Sequence, residues 1–227
     1  QLAVRLVNDL VAPAEDFDTW AAGVLLAQSH FQVLSPLRGG NNGVVALNVQ
    51  IAGVLRAARL IEAVDGWYPG RPVLVTRNDY SLKLMNGDIG ITVEVPLQNQ
   101  ELLAPAESAP AAKNASNAAA KAPQTALRVV FATSEGLRWV LPSRLQAVET
   151  VYAMTIHKSQ GSEFDHAAVV LPPQLSPIMT RELVYTGITR AKNWLTVIAG
   201  GSNNFGVLEQ ASNLQVNRAS GLRQGGL

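Results

Sequence analysis

The chain has no cysteine among its 227 residues, which excludes a disulfide-stapled scaffold and any thiolate metal site and suits a cytoplasmic protein. It has three histidines, His30, His157 and His166, none three or four residues from another, so no metal-ligand pair is expected. Long apolar runs are missing as well. The longest lie near Ala21–Ala27 and Ala167–Leu171, too short for a helix that crosses a bilayer, and no membrane partner is expected. The start, QLAVRLVNDL, has alternating polar residues and no small-residue cleavage site, so it does not read as a signal peptide. Excess charge is lacking: 15% of residues are charged and the net charge is +1, a poor basis for gripping duplex by a basic surface. A single-strand binder needs only a local groove and a few oriented groups.

Two further absences concern phosphate chemistry. No G-x-x-x-x-G-K-[ST] occurs, and no lysine follows a glycine anywhere. Nor does any apolar strand end in Asp-Glu. The parts that cradle a triphosphate and its metal are not in this sequence. With no initiating Met, the chain reads as a fragment whose cradle is expected upstream of Gln1.

What is present is an α/β pattern, interrupted. Helical spacing marks residues 1–28 as two pieces, the second capped by Asp18 or Thr19 and running through Trp20, Val24, Leu25 and Gln28. Phe31–Leu34 reads as a buried strand, and Val44–Ile61 as an amphipathic helix. Val73–Thr76 and Ile89–Val95 read as strands, with a tight turn at Asn86-Gly87-Asp88. Gln98–Ala126 is rich in Ala, Pro, Asn and Ser and cannot bury enough apolar surface to order itself, so a flexible loop is expected. Leu127–Thr133, Leu137–Pro142 and Leu145–Val151 then give short strands, the spacing of a small inserted β-barrel. The α/β pattern returns with strands at Ala153–Ile156 and Ala167–Leu171. A helix from Thr180 or Arg181 to Lys192, a strand at Trp194–Ala199 and a short helix at Phe205–Ala211 follow.

Four segments carry candidate chemistry. The first, AMTIHKSQGSEFDHAAVVLPP at Ala153–Pro173, sets a polar turn between two apolar strands, where ligand groups tend to gather; a solvated hairpin explains it equally well. In the second, ELVYTGITRAK at Glu182–Lys192, Leu183, Ile188 and Ala191 can face a core. Gly187 inside that helix costs about 1 kcal/mol relative to Ala, so close packing is expected there. Arg190 taken alone reads more often as a solvated charge than as a ligand. The third, LSPLRGGNNGVVALN at Leu34–Asn48, puts glycines and Arg38 before a helix, an arrangement that can bind an anion or be a plain surface loop. In the fourth, Arg71–Gly90, the side chains of Thr76, Arg77 and Asn78 at a strand end either hydrogen-bond phosphates or cap a turn.

Together these four strings resemble, in order, motif V, motif VI, the motif IV region and the barrel entry of RecD-type superfamily 1 DNA helicases. The C-terminal R-x-S-G-L at Arg218–Leu222 fits the same family, and the likeness runs from about Gln28 to Leu222. The resemblance implies a RecA-like (P-loop NTPase-type) α/β helicase domain 2A with an inserted SH3-like β-barrel, 2B. Residues 1–79 and 150–227 would form the motor domain and 80–149 the insert, with a flexible loop at 98–126 that is longer than a compact barrel needs.

It also implies roles. Arg190 and a second arginine, Arg38, would reach the γ-phosphate of ATP, which with Mg2+ is bound mainly by an N-terminal motor domain. Gln160 and Gly161 would lie between nucleotide and DNA, and Glu163 would approach the nucleotide sugar. Thr155, His157 and Lys158, with Thr76, Arg77 and Asn78, would contact single-stranded DNA. The family moves 5′ to 3′. In exodeoxyribonuclease V its member is the α subunit, working with the β and γ subunits (RecB and RecC) in double-strand break repair. The nuclease site of that complex lies on another subunit. A non-catalytic nucleic-acid or protein interaction module built on an SH3-like barrel is the alternative; a stand-alone small-molecule enzyme lacks the nucleophile–base pair or metal cluster it would need.

Overall fold

The computed structural model describes residues 17–96, 125–199 and 206–214. The expected helix before Phe17, nearly all of the 98–126 loop and the R-x-S-G-L string lie outside the described residues. The chain divides into two compact units, Gln1–Ser29 with Asn48–Tyr152, and His30–Leu47 with Ala153–Leu227.

The first unit is built on an antiparallel sheet of β2 (Pro72–Val75), β3 (Ile89–Pro96), β4 (Thr125–Thr133), β5 (Gly136–Val140) and β6 (Val148–Thr150), in the order β5-β4-β3-β2-β6. Helix α1 (Phe17–Ser29) turns Phe17, Ala21, Val24 and Leu25 onto Ile91, Val93, Val95 and Val130. That spacing is one stripe of a helix. The alternate residues Val129 and Phe131 pack into a second cluster with Val73, Val75, Leu84 and Val140, so the strands bury both faces. Among the described residues β5 and β6 are not paired with each other, and the sheet is open. The expected strands at Leu137–Pro142 and Leu145–Val151 are shorter than their apolar runs. Pro142, which has no N–H to give a ladder, starts a 3-10 turn over Pro142–Arg144 instead.

Gly90 stands opposite Phe131, where an added Cβ would lie 2.6 Å from the ring and 2.8 Å from the Val130 carbonyl oxygen. Phe131 is fully buried and cannot swing away. Gly90→Ala is therefore expected to destabilise this unit by about 1–3 kcal/mol, the usual cost of overpacking, measured by denaturant unfolding.

Helix α2 (Val44–Ala57) stops four residues before the expected Ile61. The Arg59 N–H donates to the Arg56 carbonyl and the Leu60 N–H to the Leu55 carbonyl, with Arg59 at φ 58. This is a left-handed C-terminal cap made with an arginine where glycine is usual, so the sequence carries no stop signal.

The second unit is a four-stranded sheet in which every pairing is parallel. Its strands are β1 (Phe31–Ser35), β7 (Ala153–Thr155), β8 (Phe164–Leu171) and β9 (Ala191–Ala199), in the order β7-β1-β8-β9. Ala167 to Leu171 of β8 are all buried, the unbroken apolar run of an interior parallel strand. β7 and β8 do not pair; each lies beside β1. The hairpin explanation of Ala153–Pro173 is thereby excluded, because a parallel pair needs a crossover.

Helix α3 (Arg181–Ile188) is capped by the Thr180 hydroxyl, which accepts the Leu183 N–H at 3.4 Å. It was expected to reach Lys192. Instead Thr189 and Arg190 turn the chain, and Ala191 pairs with Phe164 as the start of β9. Leu183 faces the core as expected, whereas Ile188 is exposed and Gly187 is buried. Helix α4 (Gly206–Asn213) follows, and the carbonyl of Leu214, just after it, accepts the Arg181 N–H at 2.8 Å. No helix among the described residues is long and apolar enough to cross a membrane.

Candidate functional site

Because all four strands of the second unit run the same way, its loops divide into two sets. One set follows the strands and the other precedes them. The sequence-predicted residues fall into both.

At the C-terminal end of the sheet, Ser35 pairs with Thr155, and the Ile156 N–H donates to the Ser35 carbonyl at 3.0 Å. The turn from Ile156 to Ser162 then closes on itself. Thr155 Oγ1 accepts the Lys158 N–H at 3.3 Å, and the Thr155 carbonyl accepts the Ser159 N–H at 3.2 Å. The buried Ser159 hydroxyl donates to the Ile156 carbonyl at 2.8 Å. Gly161, at φ 87, supplies the left-handed residue that the turn requires. His157, Gln160 and Gly161 are left exposed, and Lys158 half-buried. Ser159 was missed by the sequence reading, since a serine in a polar turn gives no sign that it will be buried.

Beside this turn lies the loop after β1. The Ser35 hydroxyl donates to the Asn42 carbonyl at 2.7 Å and accepts the Leu37 N–H at 3.1 Å. Asn42 Nδ2 donates to the Leu171 carbonyl at 2.9 Å, at the same end of β8. At Gly43 any Cβ would stand 2.1 Å from the Gly39 carbonyl oxygen, so glycine is obligatory there. The loop is pinned, and Arg38 is exposed on it.

The opposite end of the sheet holds Arg190. Its Nε donates to the Thr186 carbonyl at 3.0 Å, one terminal nitrogen to the Ser162 carbonyl at 2.8 Å and the other to Thr189 Oγ1 at 3.2 Å. Its own carbonyl accepts the Phe164 N–H at 2.8 Å. A guanidinium has five N–H donors, so one on each terminal nitrogen remains for a ligand. Glu163 is next in the chain to Phe164 and pairs with Lys192 at 3.7 Å. The structure thus brings Arg190 and Glu163 to one end.

It does not bring Arg38 to Arg190. Leu34 is level with Val169, and Val169 with Val197. From Val197 back to Arg190 is seven residues, about 23 Å of strand. Arg38 lies beyond the far end of that span, its carbonyl accepting the Val45 N–H at the start of α2. The sequence could not reveal this, because the separation depends on β1, β8 and β9 being parallel.

The turn joins the two ends. It starts at Thr155 beside Ser35 and finishes at Ser162 beside Arg190. Helix α3 holds it in the middle as well: a Cβ on Gly187 would come 2.9 Å from Ile156 Cδ1. This is the close packing that the helical glycine implied. The cavity next to Ile156, between Leu171, Met179 and Leu183, is about 10 Å3 and admits nothing beyond a single water.

Thr76, Arg77 and Asn78 belong to the other unit and are exposed. Thr76 Oγ1 donates to the Ala147 carbonyl at 3.1 Å, and Asn78 Oδ1 accepts the Asn86 N–H at 2.7 Å. The Ser81 hydroxyl and the Leu82 N–H donate to the Asp79 carboxylate and hold it below its ordinary pKa. Capping of the turn accounts for Thr76 and Asn78; Arg77 has no such local explanation. An open groove of about 680 Å3 in this unit, lined by Asn48, Gly53, Arg56, Asp65 and Thr150, contains none of the predicted site residues. Among the described residues no three His, Asp or Glu side chains cluster as a metal would require. His30 pairs with Asp165, and His166 Nε2 with Thr196 Oγ1 at 2.8 Å.

Residues 150–198, from β6 through most of β9, match the UvrD-like helicase C-terminal domain family. The chain is 36% identical over 206 residues to the RecBCD enzyme subunit RecD of Haemophilus influenzae, covering 90% of this chain and 26% of that protein. Against the same subunit of Mycolicibacterium smegmatis it is 39% identical over 193 residues, 85% of this chain and 28% of the other. It is also 28% identical over 166 residues to the ATP-dependent RecD2 DNA helicase of Deinococcus radiodurans, covering 71% and 19% respectively. The chain thus spans about a quarter of the length of the RecD relatives it matches.

Proposed function

The chain belongs to the RecD-type superfamily 1 helicases, and from that premise we propose that it is the C-terminal motor domain, 2A, of an ATP-dependent 5′–3′ DNA helicase acting in double-strand break repair. The observation that carries this is the single turn, Ile156–Ser162, running from Thr155 at one end of a parallel sheet to Arg190 at the other. One end suits a nucleotide. Arg190 is half-buried, permanently charged and oriented by three bonds, with two N–H donors remaining to fork onto phosphate oxygens. The other end suits a DNA backbone, with exposed His157 and the hydroxyl of Thr155 beside the pinned loop after β1. Contacts of that type carry no sequence code, as movement along any strand requires.

ATP, when bound, supplies the hydrolysis that drives the cycle. This chain contributes Arg190, with Glu163, Gln160 and Gly161 nearby, and neither a phosphate cradle nor an acidic cluster for Mg2+. Those belong to a second RecA-like domain of the parent. The antiparallel sheet is read as the core of the inserted SH3-like barrel, 2B; β3, β4 and β5 lie within the expected 80–149, while β2 and the end of β6 lie outside it, and the two-faced core supports that reading. RecB and RecC are the proposed partners of the parent, on the strength of the RecBCD relatives.

The test compares the full-length parent with the isolated 227-residue chain. The parent is expected to hydrolyse ATP only when single-stranded DNA is added, and the isolated chain not at all. Hydrolysis by the isolated chain, or a parent indifferent to DNA, would contradict the proposal.

A further inference from the structure

Helix α3 presents apolar side chains that its own unit does not cover. Leu183 and Gly187, four residues apart, take the buried side of the helix, so Tyr185 and Ile188 stand on the outer one. Tyr185 is 68% exposed, and Ile188, one turn on, is exposed as well. Val197 lines the cavity beneath α3; Leu195, two residues earlier on β9, points to the same face and is also exposed. Ile188 was expected in a core, and this chain leaves it at the margin of one. The patch adjoins Arg190. The Tyr185 carbonyl accepts the Thr189 N–H at 3.0 Å, and Thr189 Oγ1 accepts an Arg190 N–H at 3.2 Å. A body that brings a triphosphate to Arg190 must come within about 3 Å of its guanidinium. The chain has no phosphate cradle and spans about a quarter of the RecD relatives, so on the reading above that body is the second RecA-like domain of the parent. Contacts between domains of one chain cover roughly 600–1,500 Å2, far more than one arginine offers, so the surface around Arg190 must take part.

We propose that Tyr185, with Ile188 and Leu195 beside it, is a docking surface for the parent's second RecA-like domain, which covers these side chains when it delivers a triphosphate to Arg190. This rests on the helicase reading above. It adds an apolar contact through which nucleotide affinity depends on the closing of the two domains, with the Tyr185 ring as its largest single element.

The test uses the full-length parent and a non-hydrolysable ATP analogue. Hydroxyl-radical oxidation of Tyr185 is expected to fall severalfold when the analogue is added to wild type. Tyr185→Ala should weaken analogue binding and raise the KM for ATP about tenfold, the cost of truncating one aromatic anchor of an interface. The maximal rate at saturating ATP and DNA should stay within about threefold of wild type, because the contact is made with bound nucleotide and transition state alike. Tyr185→Phe, which retains the ring, should bind the analogue within about twofold of wild type. The thermal midpoint without nucleotide should not move in either variant, since the side chain is exposed in this unit. A parent that binds the analogue and hydrolyses ATP with DNA, yet oxidises Tyr185 equally with and without analogue, overturns this inference and leaves the helicase reading standing. Unchanged analogue affinity in Tyr185→Ala overturns it too, as does protection that depends on added partner chains and not on nucleotide. A wild-type parent that binds no analogue overturns the helicase reading and this inference with it.

Discussion

Arg190→Ala in the full-length parent is expected to lower DNA-stimulated ATP hydrolysis by about 10³-fold or more, the range measured when a phosphate-stabilising arginine is removed from a nucleotide hydrolase. The reason is positional. A guanidinium held by the Thr186 and Ser162 carbonyls and by Thr189 Oγ1 has its rotamer chosen before any ligand arrives, so little is lost in ordering it. Arg190→Lys is not expected to restore the rate. An ammonium can satisfy one carbonyl or meet a phosphate, and it lacks the planar fork that does both. DNA binding without nucleotide should change by no more than about threefold, since Arg190 stands at the end of the sheet away from Thr155. The interaction-module alternative makes the opposite prediction: DNA-stimulated hydrolysis by the parent would survive either substitution.

The second large effect is expected where α3 touches the turn. Gly187→Ala places a methyl 2.9 Å from Cδ1 of Ile156, which is 1% exposed and has little space to move into. The helix itself gains from the change, because alanine is preferred over glycine by about 1 kcal/mol. Stability should therefore move little, and the strain should go into the position of the turn. Displacements of this size far from the chemistry can cost up to about 100-fold. We expect DNA-stimulated hydrolysis to fall at least tenfold, with the folded protein as stable as wild type. Adding Ile156→Val removes the clashing Cδ1 and should restore stimulation. A double variant no better than Gly187→Ala would mean that this contact is not what links helix and turn.

The two ends of the site differ in how plainly they could be read beforehand. Phe31–Leu34 and Ala167–Leu171 are short runs rich in apolar residues that end at a turn, and such runs announce strands without any knowledge of their partners. Gly187 announced close packing for a similarly local reason. Helix ends were harder. Arg59 caps α2 in a conformation that arginine seldom adopts, and α3 stops at Ile188 because Ala191 is captured by Phe164 in the sheet. Neither event has a Gly or Pro to mark it. The grouping of site residues was hidden altogether. Arg38 and Arg190 are both arginines in motif-like strings, and only the parallel pairing of β1, β8 and β9 sends one to each end. Ser159 was invisible for a related reason, as its burial comes from the fold of the turn and not from its type.

That a single turn connects a phosphate-sensing end to a DNA-holding end can be measured as a change in affinity. Titrate the full-length parent with oligothymidylate, with and without a non-hydrolysable ATP analogue, in wild type, Gly187→Ala, and Gly187→Ala with Ile156→Val. Coupling through Ile156 predicts that the analogue shifts the Kd of wild type and of the double variant, and shifts that of Gly187→Ala little or not at all. An equal shift in all three proteins would show that the two ends communicate by some other route.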